Sequence, residues 1–176
     1  MSEIKIRNAT VEDATELLKI YSYYVEKTAI SFEIETPTLK EFEDRIVKIK
    51  KNFPYIVAEV ETKIVGYAYA HEFVGREAYK FSAELTIYLD KNFRTQGIGK
   101  KLYSEIEKIL KERGIKNLYA CIAYCDVEDE YLNLNSVKFH EHLGFKIVGK
   151  FTNCGYKFNR HYSMVWAEKL LSGSEI

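Results

Sequence analysis

The stretch "NFRTQGIGKKLYSEIEKIL", Asn92 to Leu110, decides how the chain is read. Its second half is an amphipathic helix. Ile98, Leu102, Ile106, Ile109 and Leu110 recur at helical spacing, while Lys100, Lys101, Glu105 and Lys108 take the other face. No Ser or Asp stands at the expected cap; an arginine and two glycines precede the helix instead. A helix start presents unpaired N–H groups and the positive end of the helix dipole, so it suits an anion. Gly97 and Gly99 leave the backbone bare for close approach, and Arg94 would add a charge-assisted hydrogen bond. The pattern points to a phosphate.

Working outward, "KFSAELTIYL" before this stretch and "LYACIAY" after it read as strands, so the helix is a strand-to-strand crossover and its strands should pair in parallel. Upstream, "YIVAEV" and "IVGYAYAHEF" form a hairpin turning at Glu61–Lys63. Ile4 and Ile6 mark a first strand. Two amphipathic helices follow, the first capped at Thr10 with Leu17, Ile20, Tyr21 and Tyr24 on its apolar face, the second capped at Thr38. Downstream, "NSVKFHEHLGF" is a short helix stopped by Gly144, and "KIVGKF" and "RHYSMVWAEKL" are closing strands. The order predicts an α/β (α+β) chain: a mixed, mostly antiparallel sheet of about seven strands with helices on both faces.

The 176 residues are expected to form one domain, 1–176, with 47% apolar and 30% charged residues. Zero formal net charge gives no footprint for nucleic acid. No run approaches the roughly 18 apolar residues of a membrane span. The amino terminus lacks an apolar signal region, so a cytoplasmic location is expected. Cys121 and Cys125 fall on one apparent strand, about 13 Å apart, beyond the roughly 7 Å that a disulfide spans. With Cys154 they read as structural thiols.

Three phosphate motifs compete. A Walker loop fails, because Arg94 stands where its first Gly belongs and Lys101 where its hydroxyl belongs. A dinucleotide fingerprint fails at Leu102. The third pattern, R-x-x-G-x-G at a strand-to-helix turn, is matched by "RTQGIG" and resembles the pyrophosphate loop of the GNAT superfamily of acetyl-CoA-dependent N-acetyltransferases. The alternative is a Gly-rich turn with no ligand. More narrowly, "TAISFEIETPT", "YIVAEVETKIVGYAYA", "REAYKFSAELTIYL", "FRTQGIGKKLY", "FHEHLGF" and "CGYKF" resemble the phosphinothricin and methionine sulfoximine N-acetyltransferase group.

Acetyl transfer to an amine needs a base for the ammonium and a hydrogen-bond donor for the thioester oxygen. Along "FSAELTIYL", Phe81, Ala83, Leu85, Ile87 and Leu89 point one way and Ser82, Glu84, Thr86 and Tyr88 the other. The second face is either a solvated sheet face or a reaction surface. The resemblance implies the latter, with Glu84 as general base. It also implies backbone contacts from Ile87, Tyr88 and Leu89 to the acetyl-pantetheine arm, where the parallel strands splay. Arg94, Thr95, Gln96, Gly97, Ile98 and Gly99 would hold the pyrophosphate, and Asn133 and Ser136 would touch the cofactor. His140 stands where many relatives have a tyrosine proposed as the acid for the departing thiolate; the alternative is a surface histidine without a role. His140 and His142 point well apart on a helix, so no metal is expected. Arg76, Tyr79, Thr86 and Phe32 would form the acceptor pocket, Arg76 holding a carboxylate.

Two departures from the group stand out: the acidic insertion "CDVEDEYL" (125–132), and "RHYSM" where relatives carry Trp and, two residues on, Asp. The implied function is acetylation of a small amino-acid-like amine by acetyl-CoA as co-substrate, in a homodimer with no nucleic-acid or membrane partner. Acetylation of a protein N-terminus or lysine is the alternative, and a non-catalytic acyl-CoA-binding sensor a third reading of another class.

Overall fold

The computed structural model describes residues 3–94 and 96–171; Thr95 lies outside the described residues. Seven strands and four helices follow the expected order: β1 (Ile4–Asn8), α1 (Ala14–Lys27), α2 (Leu39–Lys50), β2 (Tyr55–Val60), β3 (Lys63–Glu72), β4 (Ser82–Leu89), α3 (Ile98–Glu112), β5 (Asn117–Tyr124), α4 (Asn135–His142), β6 (Lys146–Lys157) and β7 (Arg160–Leu170). The sheet order is β1-β2-β3-β4-β5-β7-β6, and β4–β5 is its parallel pair. No described helix is long and apolar enough to cross a membrane.

The period-2 pattern of the central strands divides the core. Ala68, Ala70, Ala83 and Leu85 face α3, whose Ile98, Leu102, Ile106 and Leu110 are buried as the helical spacing requires. On the opposite face Tyr55, Val57 and Tyr67 pack against Leu17, Tyr21 and Tyr24 of α1 and Phe42 and Ile46 of α2. Helix α2 begins in a capping box, with Thr38 N–H donating to Glu41 Oε2 at 2.7 Å. The Thr10 start differs from the expectation: a 3-10 turn over Val11–Asp13 comes first, and Asp13 is fixed by a bidentate contact with Arg7. The β2–β3 turn consists of Glu61 and Thr62, both at positive φ, the geometry of a two-residue hairpin.

Strand β6 runs to Lys157 rather than stopping at Phe151. Two register irregularities absorb its extra residues, and Phe158 and Asn159, both at positive φ, turn it into β7. As the edge strand it is exposed along most of its length, so no apolar alternation marks its second half. All three cysteines are free; only Cys125 is buried, whereas Cys121 and Cys154 are exposed, so the structural-thiol expectation holds for Cys125 alone.

The two departures from the group's pattern are partners. Asp129, in the insertion, accepts from the N–H groups of Tyr131 and Leu132 (2.8 Å each), from the Tyr162 hydroxyl (2.8 Å) and from Arg160 (2.9 Å). Arg160 also bridges Glu130 at 2.9 Å and lies over the Tyr131 ring, which stacks on Phe158. From this clasp the Tyr131 carbonyl accepts Ala29 N–H, tying down the loop after α1 that carries Phe32. Asp129→Ala strips four donors of one acceptor and should lower unfolding free energy by about 2–3 kcal/mol. Glu130→Ala, at an exposed carboxylate, should change it little. Denaturant titration of the two variants checks the difference.

Candidate active site

The β4–β5 ladder covers only Ser82–Glu84 against Asn117–Tyr119. Beyond Glu84 the strands part and open a slot. Which backbone groups face it follows from the hydrogen-bond alternation of the antiparallel β3–β4 pair. Asp90 N–H donates to Val65 O on the β3 side, and Phe81 O accepts from Lys116 and Asn117 on the β5 side. Even-numbered residues of β4 therefore turn their N–H and C=O to β3, and Leu85, Ile87 and Leu89 turn theirs to the slot. Of the three expected backbone contacts, Tyr88 faces β3. Leu89 is engaged by the Tyr24 hydroxyl, which donates to its carbonyl (2.5 Å) and accepts from its N–H (3.3 Å). On its β5 side Ile87 presents an edge that the β4–β5 ladder does not reach.

The slot leads toward the α3 N-terminus. Gly97 caps the helix at φ 76°, the left-handed region that favours glycine, and space beyond its α-carbon is open. The first intrahelical bond runs from Lys101 N–H to Gly97 O, so the amides of Ile98, Gly99 and Lys100 are the ones offered to an anion. Gly99 is small for a further reason: a Cβ there would meet the Phe139 ring at 3.0 Å, so it lets α4 pack on α3. Arg94 lies over the Tyr23 and Tyr24 rings, 5.7 and 5.4 Å from their centroids. Gln96 is exposed and Ile98 buried. Asn133 accepts from Asn135 N–H at 3.1 Å and shapes the α4 start. These features fit a pyrophosphate-bearing acyl carrier: amides at one end, an unpaired strand edge at the other.

A cavity of about 480 Å³ occupies the parting and unites Glu84, Thr86, Ile87, Tyr88, Ser136, His140 and Phe32. Arg76 and Tyr79 do not reach it. They sit exposed on the β3–β4 connection, where Phe73 stacks on Tyr119 (3.9 Å between centroids) and meets Tyr79 edge-on.

Two wall residues escaped the sequence reading. Tyr103, on α3, is buried and its hydroxyl lies 2.8 Å from His140 Nε2. His140 is not a surface residue: it is 4% exposed, and its Nδ1 lies 2.7 Å from Ser136 O. Nδ1–H therefore donates to that carbonyl and Nε2 accepts from Tyr103. Burial lowers the His140 pKa to about 4, so the ring is neutral at ordinary pH.

His71 is the second. It is the direct cross-strand partner of Glu84, so both side chains lie on one sheet face. His71 Nε2 stands 3.6 Å from Glu84 Oε1, and Nδ1 donates to the Glu72 carbonyl at 3.0 Å. Burial alone would lower its pKa; the Glu84 carboxylate outweighs burial and raises it.

The profile of the acetyltransferase (GNAT) domain matches residues 6–166. The chain belongs to the GNAT acetyltransferases. It is 32% identical to the phosphinothricin N-acetyltransferase of Streptomyces viridochromogenes over 154 residues, covering 88% of this chain and 80% of that protein. A phosphinothricin acetyltransferase from Sinorhizobium meliloti, solved in complex with acetyl-CoA, superposes with a TM-score of 0.88 at 29% identity, over 99% of this chain and 93% of that one. A ribosomal-protein-alanine N-acetyltransferase from Brucella melitensis does so with 0.87 at 32%, over 95% and 99%.

The His71–Glu84 pair has a pH signature. The raised pKa belongs to the folded state, so the pair's stabilisation is complete below the ordinary histidine value and is lost as pH rises through the folded one. NMR titration should place His71 above 6.5 in the wild type. In Glu84→Gln burial is opposed only by Glu72, and the value should fall; an unmoved titration would contradict the pairing.

Proposed function

We propose that the chain acetylates the primary amine of a small amino-acid-like acceptor by direct transfer from acetyl-CoA, with Glu84 as general base. The observation that carries this is the position of Glu84: it is the last residue of β4 paired with β5, half-buried, on the wall of the cavity where the strands part. Acetyl-CoA, when bound, supplies an activated acetyl thioester whose C–S bond breaks as the C–N bond forms. The pyrophosphate would rest on the α3 amides, with Arg94 through Gly99 around it, Thr95 included. The free Ile87 N–H would steady the carbonyl oxygen as charge develops. Asn133 and Ser136 would line the carrier arm.

Glu84 takes the proton that the ammonium must lose before it attacks. His71, 3.6 Å away on the neighbouring strand, orients the carboxylate. Because His140 is held neutral with Nδ1–H on Ser136 and Nε2 taken by Tyr103, the departing sulfur in this reading takes the second proton that the amine nitrogen sheds as the amide forms, and His140 and Tyr103 hold the wall beside it. Thr86 and Phe32 would contact the acceptor. Arg76 and Tyr79 would reach it only from the neighbouring subunit of a homodimer. Phosphinothricin and methionine sulfoximine are the acceptors this reading favours. The similarity to a ribosomal-protein-alanine N-acetyltransferase supports a second reading, an exposed protein N-terminus.

A thiol-release assay with acetyl-CoA tests both. The panel holds phosphinothricin, methionine sulfoximine, ordinary amino acids and an Ala-initiated peptide. Turnover on small amino acids should fall about 10²- to 10⁴-fold in Glu84→Gln, with the acetyl-CoA KM unchanged. Turnover on the peptide alone would move the acceptor to a protein. Binding of acetyl-CoA without turnover on any amine would leave a sensor.

A further inference from the structure

The reaction cavity does not end at Glu84. A second chamber of about 670 Å³ lies between α2 and the sheet, and Tyr21, Glu33, Tyr69, His71 and Tyr88 line both spaces. The two therefore share a wall beside the base. Its deep side is made by Tyr55 and Tyr67, and its exposed rim carries Lys48 and Lys51.

The chamber's chemistry is unusual in one respect. Tyr55 and Tyr67 are 3% and 1% exposed, and among the described residues no protein group takes up either hydroxyl, yet neither is sealed away from solvent: the little surface each residue keeps opens onto the chamber. Buried phenols ordinarily bond within the protein. Other buried tyrosines of this chain do: Tyr21 with Ser31, Tyr24 with Leu89, Tyr103 with His140, Tyr162 with Asp129. Both unpartnered hydroxyls line the same chamber. Burial raises the pKa of each, so each stays protonated and remains a donor. Arg45 adds a guanidinium to the wall, held in place by Glu33 at 2.6 Å. Donors with a lysine rim suit an oxygen acceptor bearing negative charge.

We propose that this chamber binds the end of the acceptor remote from its amine, and that this end is a compact anionic oxygen group, held by the Tyr55 and Tyr67 hydroxyls under the positive rim of α2. The proposal rests on the acetyl-transfer reading, in which the amine sits at Glu84. The acceptor then spans both spaces, its amine at the base and its charged end against the tyrosines. Specificity for chain length and terminal charge resides in β2, β3 and α2, away from the reacting atoms.

The test removes single oxygens. Tyr67→Phe and Tyr55→Phe keep the ring packing and should keep the melting temperature. With phosphinothricin or glutamate as acceptor, each should raise the acceptor KM about ten- to a hundredfold, the worth of one hydrogen bond to a charged group. The kcat and the acetyl-CoA KM should stay as in wild type. With methionine or glutamine, which lack the terminal charge, the acceptor KM should not move. Equal KM changes on charged and neutral acceptors, or none on either, would overturn the proposal. Calorimetric binding of phosphinothricin to the acetyl-CoA-free protein reads the chamber without turnover. About ten- to a hundredfold weaker binding to Tyr67→Phe supports the chamber even if no amine is acetylated, in which case only the acetyl-transfer reading falls. Equal binding to both proteins, or binding to neither, overturns the chamber.

Discussion

Strands β4 and β5 share backbone hydrogen bonds only up to Glu84 and Tyr119, and the parting beyond that point organises the rest of the molecule. A parallel pair in mid-sheet would ordinarily be continuous, because unpaired buried N–H and C=O groups are costly. Here the cost is managed group by group. The Tyr24 hydroxyl from α1 answers both backbone groups of Leu89, and the edge at Ile87 is left for a ligand. The same parting places the first amides of α3 at the far end of the slot and Glu84 at its apex. One topological feature thus yields a site for an acyl carrier and a carboxylate beside the reacting carbon.

The walls of that slot are held by long-range contacts. The loop after α1 is fixed from several sides: Tyr21 to Ser31 at 2.9 Å, buried Lys157 to the Ser31 carbonyl at 2.7 Å, and Ala29 N–H to Tyr131 O at 3.0 Å. Phe32 lies so close to β6 that a Cβ on Gly155 would meet its ring at 2.6 Å. The acidic insertion belongs to this system through Asp129, Arg160 and Tyr131. Its charges are structural and matched locally, so it acts on the cavity by setting where Phe32 stands.

Much of this was legible in the chain. The R-x-x-G-x-G turn located the α3 start, the helical spacing named its buried face, and the period-2 reading of "FSAELTIYL" put Glu84, Thr86 and Tyr88 together. What escaped depends on register or distance. His71 faces Glu84 across β3 and β4, but a long connection joins those strands, so their register cannot be counted along the chain as it can across a two-residue turn. Tyr103 sits on the helix after the glycines, where period alone reads it as one more core residue. Gly99 also makes room for Phe139, a second demand on the same glycine that the chain did not show, because helix–helix approach leaves no local mark in the sequence. The burial of His140 was equally hidden, since it is set by packing against Phe139 and Phe145 around Tyr103.

The central claim is that the parted strands and the α3 start form one site for acetyl-CoA. Amide chemical-shift mapping during an acetyl-CoA titration tests it most directly. The account predicts the largest changes at Ile87, Ile98, Gly99 and Lys100, with the outer edge of β6 silent. Saturable binding whose shifts gather elsewhere and leave Ile87 and the α3 amides unmoved would contradict it.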